Sequence, residues 1–472
     1  MLSGEMTMDK VRIGFIPSHR VPFGEEWAKD MRKRCLAVMA KVPGLEVVVP
    51  DESMTHNGLV RNLEDARKTV KLFKDKGVVG LVLGGMTFGH ETSAVGGVVA
   101  NMPAGTPVLH FATRGKVEAD GTRPSDSWCG QFMITSALRR REIVFEHIPT
   151  CFPEEPIFRQ GLERFVRACA AHQKFRGARI GQIGTRPEEF ESVWWDEASL
   201  QRDFNQTVVP IDLADTFMRL DAVSADDAEV KRVAGEIQQG IEVPAGAREA
   251  VVTLARMEVA LRRLAEEKDM DAMAVNCWEQ VQKRYGICVC SVLGRLTDQG
   301  IPCACEVDVY GAASMLAAAG AAMGQAAPHF IDWTELHPER ENVWLAWHCG
   351  NAPRSTCGPD CRACLMEHSI LPLRPSWGTL EFAEKTGPVA FCRLVEYDGF
   401  FTMFIGTGEV VDMPPKVRGS YAWVKVNDIV DWEQKMVEHG IIHHGVMIHD
   451  PEVADALESF CAFNGIEVVR GA

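Results

Sequence analysis

Residues 274–312, AVNCWEQVQKRYGICVCSVLGRLTDQGIPCACEVDVYGA, decide the fold of this chain. The stretch contains two short apolar runs, each followed by carboxylates, with a helix-like apolar segment between them. A strand, helix, strand unit brings both strand ends to the same edge of a parallel sheet, which is where α/β proteins bind ligands. Glu279 follows the first run, and Glu306 and Asp308 end the second. We therefore expect three acids at one edge of a parallel sheet.

The second acidic run predicts how its two carboxylates point. Side chains alternate along a strand, so a strand over 303–309 would direct Glu306 and Asp308 to one face and Val307 and Val309 to the other. The two acids would then converge with Glu279 above one pocket. Acids paired at strand ends are typical of a divalent metal site in an α/β protein.

Strand and helix patterns also alternate on both sides of this stretch. Four apolar strand candidates, VRIGFIP, LEVVVP, GVVGLVLGG and TPVLHFAT, alternate with helical patterns in the first part of the chain. This predicts a Rossmann-like doubly wound domain over 1–170, although no GxGxxG follows the first strand to support dinucleotide binding. RIGQIG restarts the rhythm in a second α/β domain, 171–345, that carries the acids. Turns and aromatic or β-branched residues then predict a mainly antiparallel β-barrel domain over 346–472.

Composition narrows the class of function. The 472 residues exceed one hydrophobic core, and 46% apolar with 24% charged residues is ordinary for a globular enzyme. The net charge of −15 disfavours nucleic acid or an anionic membrane as partner, so we expect a small-molecule ligand. No apolar run reaches about 18 residues, and the 15 cysteines are scattered as buried reduced thiols are. We therefore expect a cytoplasmic protein.

A histidine cluster near the end of the chain supplies a further ligand. The segment EHGIIHHGVMIHD contains His443, His444 and His449. Adjacent histidines on a strand face opposite ways, so at most one of His443 and His444 can point to a given site. A Glu, an Asp and a His form a ligand set suited to manganese or magnesium, with positions left open for substrate oxygens.

Three local patterns resemble the L-fucose isomerase and L-arabinose isomerase family, and the resemblance spans nearly all of the chain. They are FGHET at 88–92, CEVDVYGAASM at 305–315, and His444-Gly445-Val446. The resemblance implies that Glu279 and Asp308 bind the metal and transfer protons, and that His444 is the third ligand. Glu306 would then lie beside the ligands without touching the metal, although Glu306 and Asp308 could exchange these roles.

The resemblance also implies an activity. It is the isomerisation of an aldose to a ketose through a cis-enediol, with Mn2+, or Mg2+ or Co2+, bound to the enzyme. It implies a homohexamer in which the first domain of one subunit closes the pocket of another. A non-catalytic sugar-binding or regulatory protein of the same fold is the alternative.

The motifs do not identify which sugar is the substrate. Met86 stands where fucose isomerases carry a stacking tryptophan, so a hexose, a pentose or a modified sugar such as a sulfonated one is possible. We expect substrate contacts from five residues: Arg20, Phe88, Glu91, Trp278 and His348. His348 could instead be a further metal ligand.

Cys357, Cys361 and Cys364 form a CxxxCxxC pattern. An iron cluster of a radical enzyme has this spacing, but the 108 residues after Cys364 are too few to complete such an enzyme's barrel. A structural Zn2+ site at these three cysteines, closed by Cys349 or His348, and a loop of reduced thiols are the remaining hypotheses.

Overall fold

The structure is a computed structural model that describes residues 8–371 and 374–472. It divides into two compact units, one of Met1–Gln173 with Ala462–Asn464 and the other of Lys174–Cys461 with Gly465–Ala472. The second unit holds both the second α/β sheet and the barrel. The predicted boundaries of three domains stay a prediction.

The first unit is built on a five-stranded parallel sheet in the order β2-β1-β3-β4-β5. Strands β3 and β4 are buried along their whole length. The unbroken apolar sequence of β3 predicts this, whereas β4 also buries two polar side chains, His110 and Thr113. The elements are β1 (Val11–Ser18), α1 (Glu25–Met39), β2 (Leu45–Val48), α2 (Leu63–Asp75), β3 (Gly80–Gly85), β4 (Val108–Thr113), α3 (Ser127–Arg139), β5 (Glu146–Cys151) and α4 (Pro156–Phe175). A π-helical segment, Thr92–Val98, follows β3.

The second unit begins with a four-stranded parallel sheet in the order β7-β6-β8-β9. Helix α11 is apolar and almost entirely buried, because it packs against β8 on one side and the barrel on the other. The elements are β6 (Arg179–Ile183), α5 (Glu197–Phe204), β7 (Thr207–Ile211), α6 (Leu213–Ala222), α7 (Ala228–Gly240), α8 (Arg248–Lys268), β8 (Ala272–Val275), α9 (Gln280–Tyr285), α10 (Cys290–Asp298), β9 (Cys303–Cys305) and α11 (Val309–Ala321).

The rest of the second unit is an antiparallel barrel. Six strands in the order β16-β11-β10-β17-β14-β15 close through pairing of β15 with β16 around aromatic side chains such as Trp344, Phe391 and Trp432. The elements are β10 (His329–Leu336), β11 (Val343–His348), β12 (Cys364–Glu367), β13 (Trp377–Ala383), β14 (Gly387–Tyr397), β15 (Phe400–Val411), β16 (Ser420–Lys425), α12 (Ile429–Glu438), β17 (His444–Ile448), α13 (Glu452–Asn464) and β18 (Glu467–Arg470).

The predicted fold class, two parallel α/β sheets followed by an antiparallel barrel, is confirmed. The barrel sheet starts earlier than the composition indicates, because β10 already belongs to it. None of the helices in the described part of the chain combines the length and apolar character needed to cross a membrane.

Candidate active site

The acidic stretch that follows β9 forms a turn. The predicted strand over 303–309 is wrong: β9 ends at Cys305, and Glu306 and Val307 adopt left-handed φ values of 60° and 61°. Asp308 then caps α11, its side chain accepting a hydrogen bond from the Gly311 amide at 2.7 Å. A left-handed valine is rare because its branched Cβ crowds the backbone, so the alternation argument could not foresee this turn.

Glu306 and Asp308 nevertheless meet at one side chain, that of His444. The Nδ1 atom of His444 lies 2.9 Å from Oδ2 of Asp308, and its Nε2 atom lies 2.9 Å from Oε2 of Glu306. His444 is the first residue of β17 and is fully buried, whereas His443 is exposed. Two carboxylates that are two residues apart in sequence therefore bind opposite nitrogens of one imidazole.

The two carboxylates determine the charge of this imidazole. Burial alone would lower the pKa of His444, but the hydrogen bonds to Asp308 and Glu306 and their charges raise it to about 10. Burial likewise opposes ionisation of both acids, yet His444 lowers the pKa of Glu306, and Arg393 together with His444 holds the pKa of Asp308 well below its usual range. At neutral pH, His444, Asp308 and Glu306 are therefore all charged.

Asp332 approaches the same imidazole from the neighbouring strand β10. It pairs with His444 in the sheet register, and its Oδ1 atom lies 3.6 Å from Nε2. Although 24% of the side chain is exposed, Oδ1 itself is buried, and no described group hydrogen-bonds to it. This loss of hydration raises the pKa of Asp332 to about 7. An unpartnered buried carboxylate oxygen beside an imidazole is a position where a cation would be stabilised.

His348, the last residue of β11, completes the buried group. The Cys349 amide donates to its Nδ1 at 2.9 Å, and burial lowers the pKa of His348 to about 4. The neutral ring therefore carries its proton on Nε2. That nitrogen is buried, without a hydrogen-bond partner among the described residues, so it is free to donate to an oxygen in the site.

These side chains fit a divalent cation. Donor atoms of Glu306, His348 and His444 lie within 4.8 Å of one another, as do those of Asp332, His443 and His444. The two groups share His444. Carboxylate oxygens with an imidazole are donors for Mn2+ or Mg2+, whereas soft metals prefer thiolates.

Aromatic rings border the open side of this cluster. The ring of Phe190 lies 5.8 Å from Trp278, 5.1 Å from His443 and 6.3 Å from His444, measured between centroids. Phe190 lies in the loop after β6 and Trp278 in the loop after β8, and these two strands flank the point where the strand order reverses. Crevices for ligands form at such points in parallel sheets.

Glu279 lies next to Trp278, at the start of α9. Its side chain is 45% exposed and forms an ion pair with Lys283. It therefore lies on a loop that borders the crevice, where its carboxylate is open to solvent.

The first-unit residues predicted to contact substrate lie together. Arg20, after β1, donates from Nη2 to Oε2 of Glu91 at 2.8 Å, and its guanidinium lies 5.0 Å from the ring centre of Phe88. Phe88 stacks on Phe23 at 5.2 Å. Met86 is fully buried. A cation, a carboxylate and a half-buried ring thus share the carboxyl edge of the first sheet.

Three residues of the second-unit site were missed by sequence reasoning: Asp332, Arg393 and Phe190. A signal existed for the first two, since a charge interrupts the apolar strand sequences HFIDWTEL and GPVAFCRLVEY. A buried strand position that carries a charge requires a partner. Phe190 has no such signal, because a loop aromatic shows its neighbours only in three dimensions.

The cysteine predictions need correction. Cys357 and Cys361 form a disulfide with Cα atoms 5.6 Å apart, and Cys364 is free. Disulfide sulfurs carry no thiolate charge, so the predicted Zn2+ site at Cys357, Cys361 and Cys364 lacks two of its ligands. The alternative of a loop with only reduced thiols is also wrong.

The fold and the site together define a class: an α/β protein with a terminal barrel, whose buried carboxylates and imidazoles form a site of the kind found in metal-dependent enzymes. Residues 14–176 match the family model for the fucose/sulfoquinovose isomerase N-terminal domain. Residues 346–470 match the model for the L-fucose isomerase C-terminal domain.

Curated relatives of the chain are also sugar isomerases of this kind. The chain is 26% identical to a sulfoquinovose isomerase of Alkalicoccus urumqiensis and 28% identical to one of Clostridium sp. (strain MSTE9), each over 66% of this chain and 69% of the relative. A sulfoquinovose isomerase of Priestia megaterium is 24% identical over 68% of this chain and 70% of the relative. The chain belongs to the fucose-isomerase-like family, which confirms the resemblance predicted from its motifs.

Proposed function

We propose that this protein is a divalent-cation-dependent aldose–ketose isomerase that works through a cis-enediol. The observation that carries the proposal is the setting of His444, whose two nitrogens are bound by Asp308 and Glu306 while the unpartnered oxygen of Asp332 lies beside Nε2. A purely structural histidine would not need a third, unsatisfied carboxylate.

The ligands predicted from the sequence are Glu279, Asp308 and His444. We keep His444, through Nε2, where a bound cation would displace the proton that this nitrogen shares with Glu306. We propose Glu306 in place of Asp308, because Gly311, Arg393 and His444 already occupy both oxygens of Asp308. Glu279 belongs to neither group of close donor atoms found among the described residues, so we do not propose it as a ligand. Asp332 supplies a further oxygen. The expected cation is Mn2+, with Mg2+ or Co2+ as substitutes.

The chemistry needs charge stabilisation and proton transfer. A bound divalent cation would stabilise the negative charge that develops on the two neighbouring sugar oxygens, a contribution of roughly several kcal/mol. Glu279, on the loop after β8, and Glu306 are the proposed proton-transferring acids. The Nε2–H group of His348 donates to a sugar oxygen, and Phe190 with Trp278 packs against the sugar.

For the substrate we propose a sulfonated hexose, sulfoquinovose. The support is that the curated relatives are sulfoquinovose isomerases. Arg20, Phe88 and Glu91 are proposed to contact the sugar. A homohexamer, implied by the family resemblance, and a cytoplasmic location, expected from the sequence, remain proposals.

The test is conversion of sulfoquinovose, L-fucose, L-arabinose and D-glucose to their ketoses, after metal removal with EDTA and after addition of Mn2+. We expect Mn2+-dependent conversion of sulfoquinovose. Glu279→Gln should lower kcat by about 100-fold or more if Glu279 transfers a proton, whereas the surface control Glu339→Gln should not.

The outcomes separate the hypotheses. Binding of a sugar without conversion would favour the alternative of a non-catalytic sugar-binding protein. Conversion of fucose but not of sulfoquinovose would overturn the substrate proposal and leave the reaction class intact.

A further inference from the structure

A buried arginine lies behind the site. Arg393, on β14, has 1% of its side chain exposed and binds Asp308 at the start of α11. Its Nη2 atom donates to Oδ1 at 3.0 Å, and its Nη1 atom contacts Oδ2. Burying a guanidinium costs several kcal/mol of hydration, so the position requires a close anionic partner. Asp308 is that partner.

Asp308 is held by four donors. Oδ1 accepts from the Gly311 amide at 2.7 Å and from Arg393, while Oδ2 accepts from Arg393 and lies 2.9 Å from Nδ1 of His444. These four bonds use the acceptor directions of the carboxylate, so it cannot rotate without breaking at least two of them. The helix start and the barrel strand together fix its direction.

We propose that Arg393 is a positioning residue that acts through Asp308 to fix the ring of His444. With Nδ1 bonded to an immobile carboxylate, the ring directs Nε2 toward Glu306 and Asp332. This inference rests on the proposed function, because it assigns Arg393 to the support of the cation site. Carboxylates that hold a ligating histidine in this way typically contribute about 10- to 100-fold to metal affinity.

A merely structural role makes a different prediction. The ion pair could serve only to attach α11 to the barrel, in which case its loss would lower stability alone. Arg393→Lys separates the two roles, since it retains the buried positive charge but replaces the two-pronged guanidinium with a single ammonium. The carboxylate of Asp308 would then be free to turn.

The experiment is calorimetric titration of the metal-free protein with Mn2+, alongside a thermal melt of each variant. Arg418→Lys is the matched control, because Arg418 binds Glu381 on the surface of the same unit. We expect Arg393→Lys to bind Mn2+ about 10-fold more weakly or worse and to have a reduced kcat, in addition to the lower melting temperature that loss of one arm of the buried ion pair causes. Arg418→Lys should match wild type in all three.

If Arg393→Lys does not fold, Asp308→Asn replaces it, since asparagine retains the volume and can still cap α11. The same loss of Mn2+ affinity is expected. Wild-type Mn2+ affinity in a folded variant would overturn the inference while leaving the proposed function intact. Absence of Mn2+ binding by the wild-type protein would instead overturn the cation-dependent function itself.

Discussion

A buried carboxylate outside the candidate site, that of Glu384, gives a prediction for stability. Glu384, directly after β13, has no exposed side-chain surface and lies between two imidazoles, 2.5 Å from Nδ1 of His329 and 2.8 Å from Nε2 of His449. Burial would raise its pKa, but the two histidines lower it from 4.5 to about 2. The folded protein therefore binds a proton at Glu384 less readily than the unfolded chain does.

The direction of the pH effect on stability follows from the linkage between proton binding and folding. A carboxyl with a depressed pKa in the folded state stabilises the fold above its unfolded pKa, and this contribution is lost as pH falls. A displacement from 4.5 to about 2 corresponds to roughly 3 kcal/mol, present above pH 4.5 and reduced by about half at pH 3.

Glu384→Gln removes the titrating group at nearly constant volume. We expect the free energy of unfolding, measured by urea denaturation with tryptophan fluorescence, to fall by about 3 kcal/mol at pH 7 and by progressively less between pH 4.5 and pH 3. Glu433→Gln, an exposed acid of the same unit, is the control and should change little. A deficit for Glu384→Gln that stays constant between pH 7 and pH 3 would refute the reasoning.

Three further predictions concern the site and its surroundings. A Cβ on Gly445 would lie 2.6 Å from Cε2 and Cη2 of Trp333, so Gly445→Ala should destabilise the protein by about 1–3 kcal/mol in a denaturation series, and an unchanged midpoint would contradict the packing. Glu306→Gln removes an anionic ligand, so Mn2+ affinity in calorimetry should fall by at least about 10-fold; wild-type affinity would exclude Glu306 from the site. Thiol titration of the denatured, unreduced protein should find thirteen free thiols of the 15 cysteines, because Cys357 and Cys361 are joined; a count of fifteen would disprove that disulfide.

The sequence indicated much of the fold because its signals are local. An unbroken apolar run predicts the buried strand β3, and the repeated strand and helix pattern predicts both parallel sheets. The change to aromatic and β-branched residues predicts the barrel. The start of the barrel was less clear, since β10 resembles a strand of the preceding α/β domain until its partners are known.

The site was only partly predictable. Glu306, Asp308 and His444 were selected from motifs, and they do meet. Which of the two acids is free to bind a cation depends on the left-handed turn at Glu306 and Val307. It also depends on Arg393, which binds Asp308 from a strand 85 residues further along the chain. No local pattern encodes such a long-range ion pair. The charge that interrupts the apolar sequence of β10 marks Asp332, but its place beside His444 follows only from the pairing of β10 with β17.

We propose that a cation binds Nε2 of His444 and a carboxylate oxygen of Glu306, while Asp308 remains bonded to Arg393. An anomalous difference map from crystals of the protein grown with Mn2+ would locate the cation. We expect one strong peak within about 2.5 Å of both Nε2 of His444 and a carboxylate oxygen of Glu306. A peak bound to Asp308, with its carboxylate turned away from Arg393, would contradict this proposal.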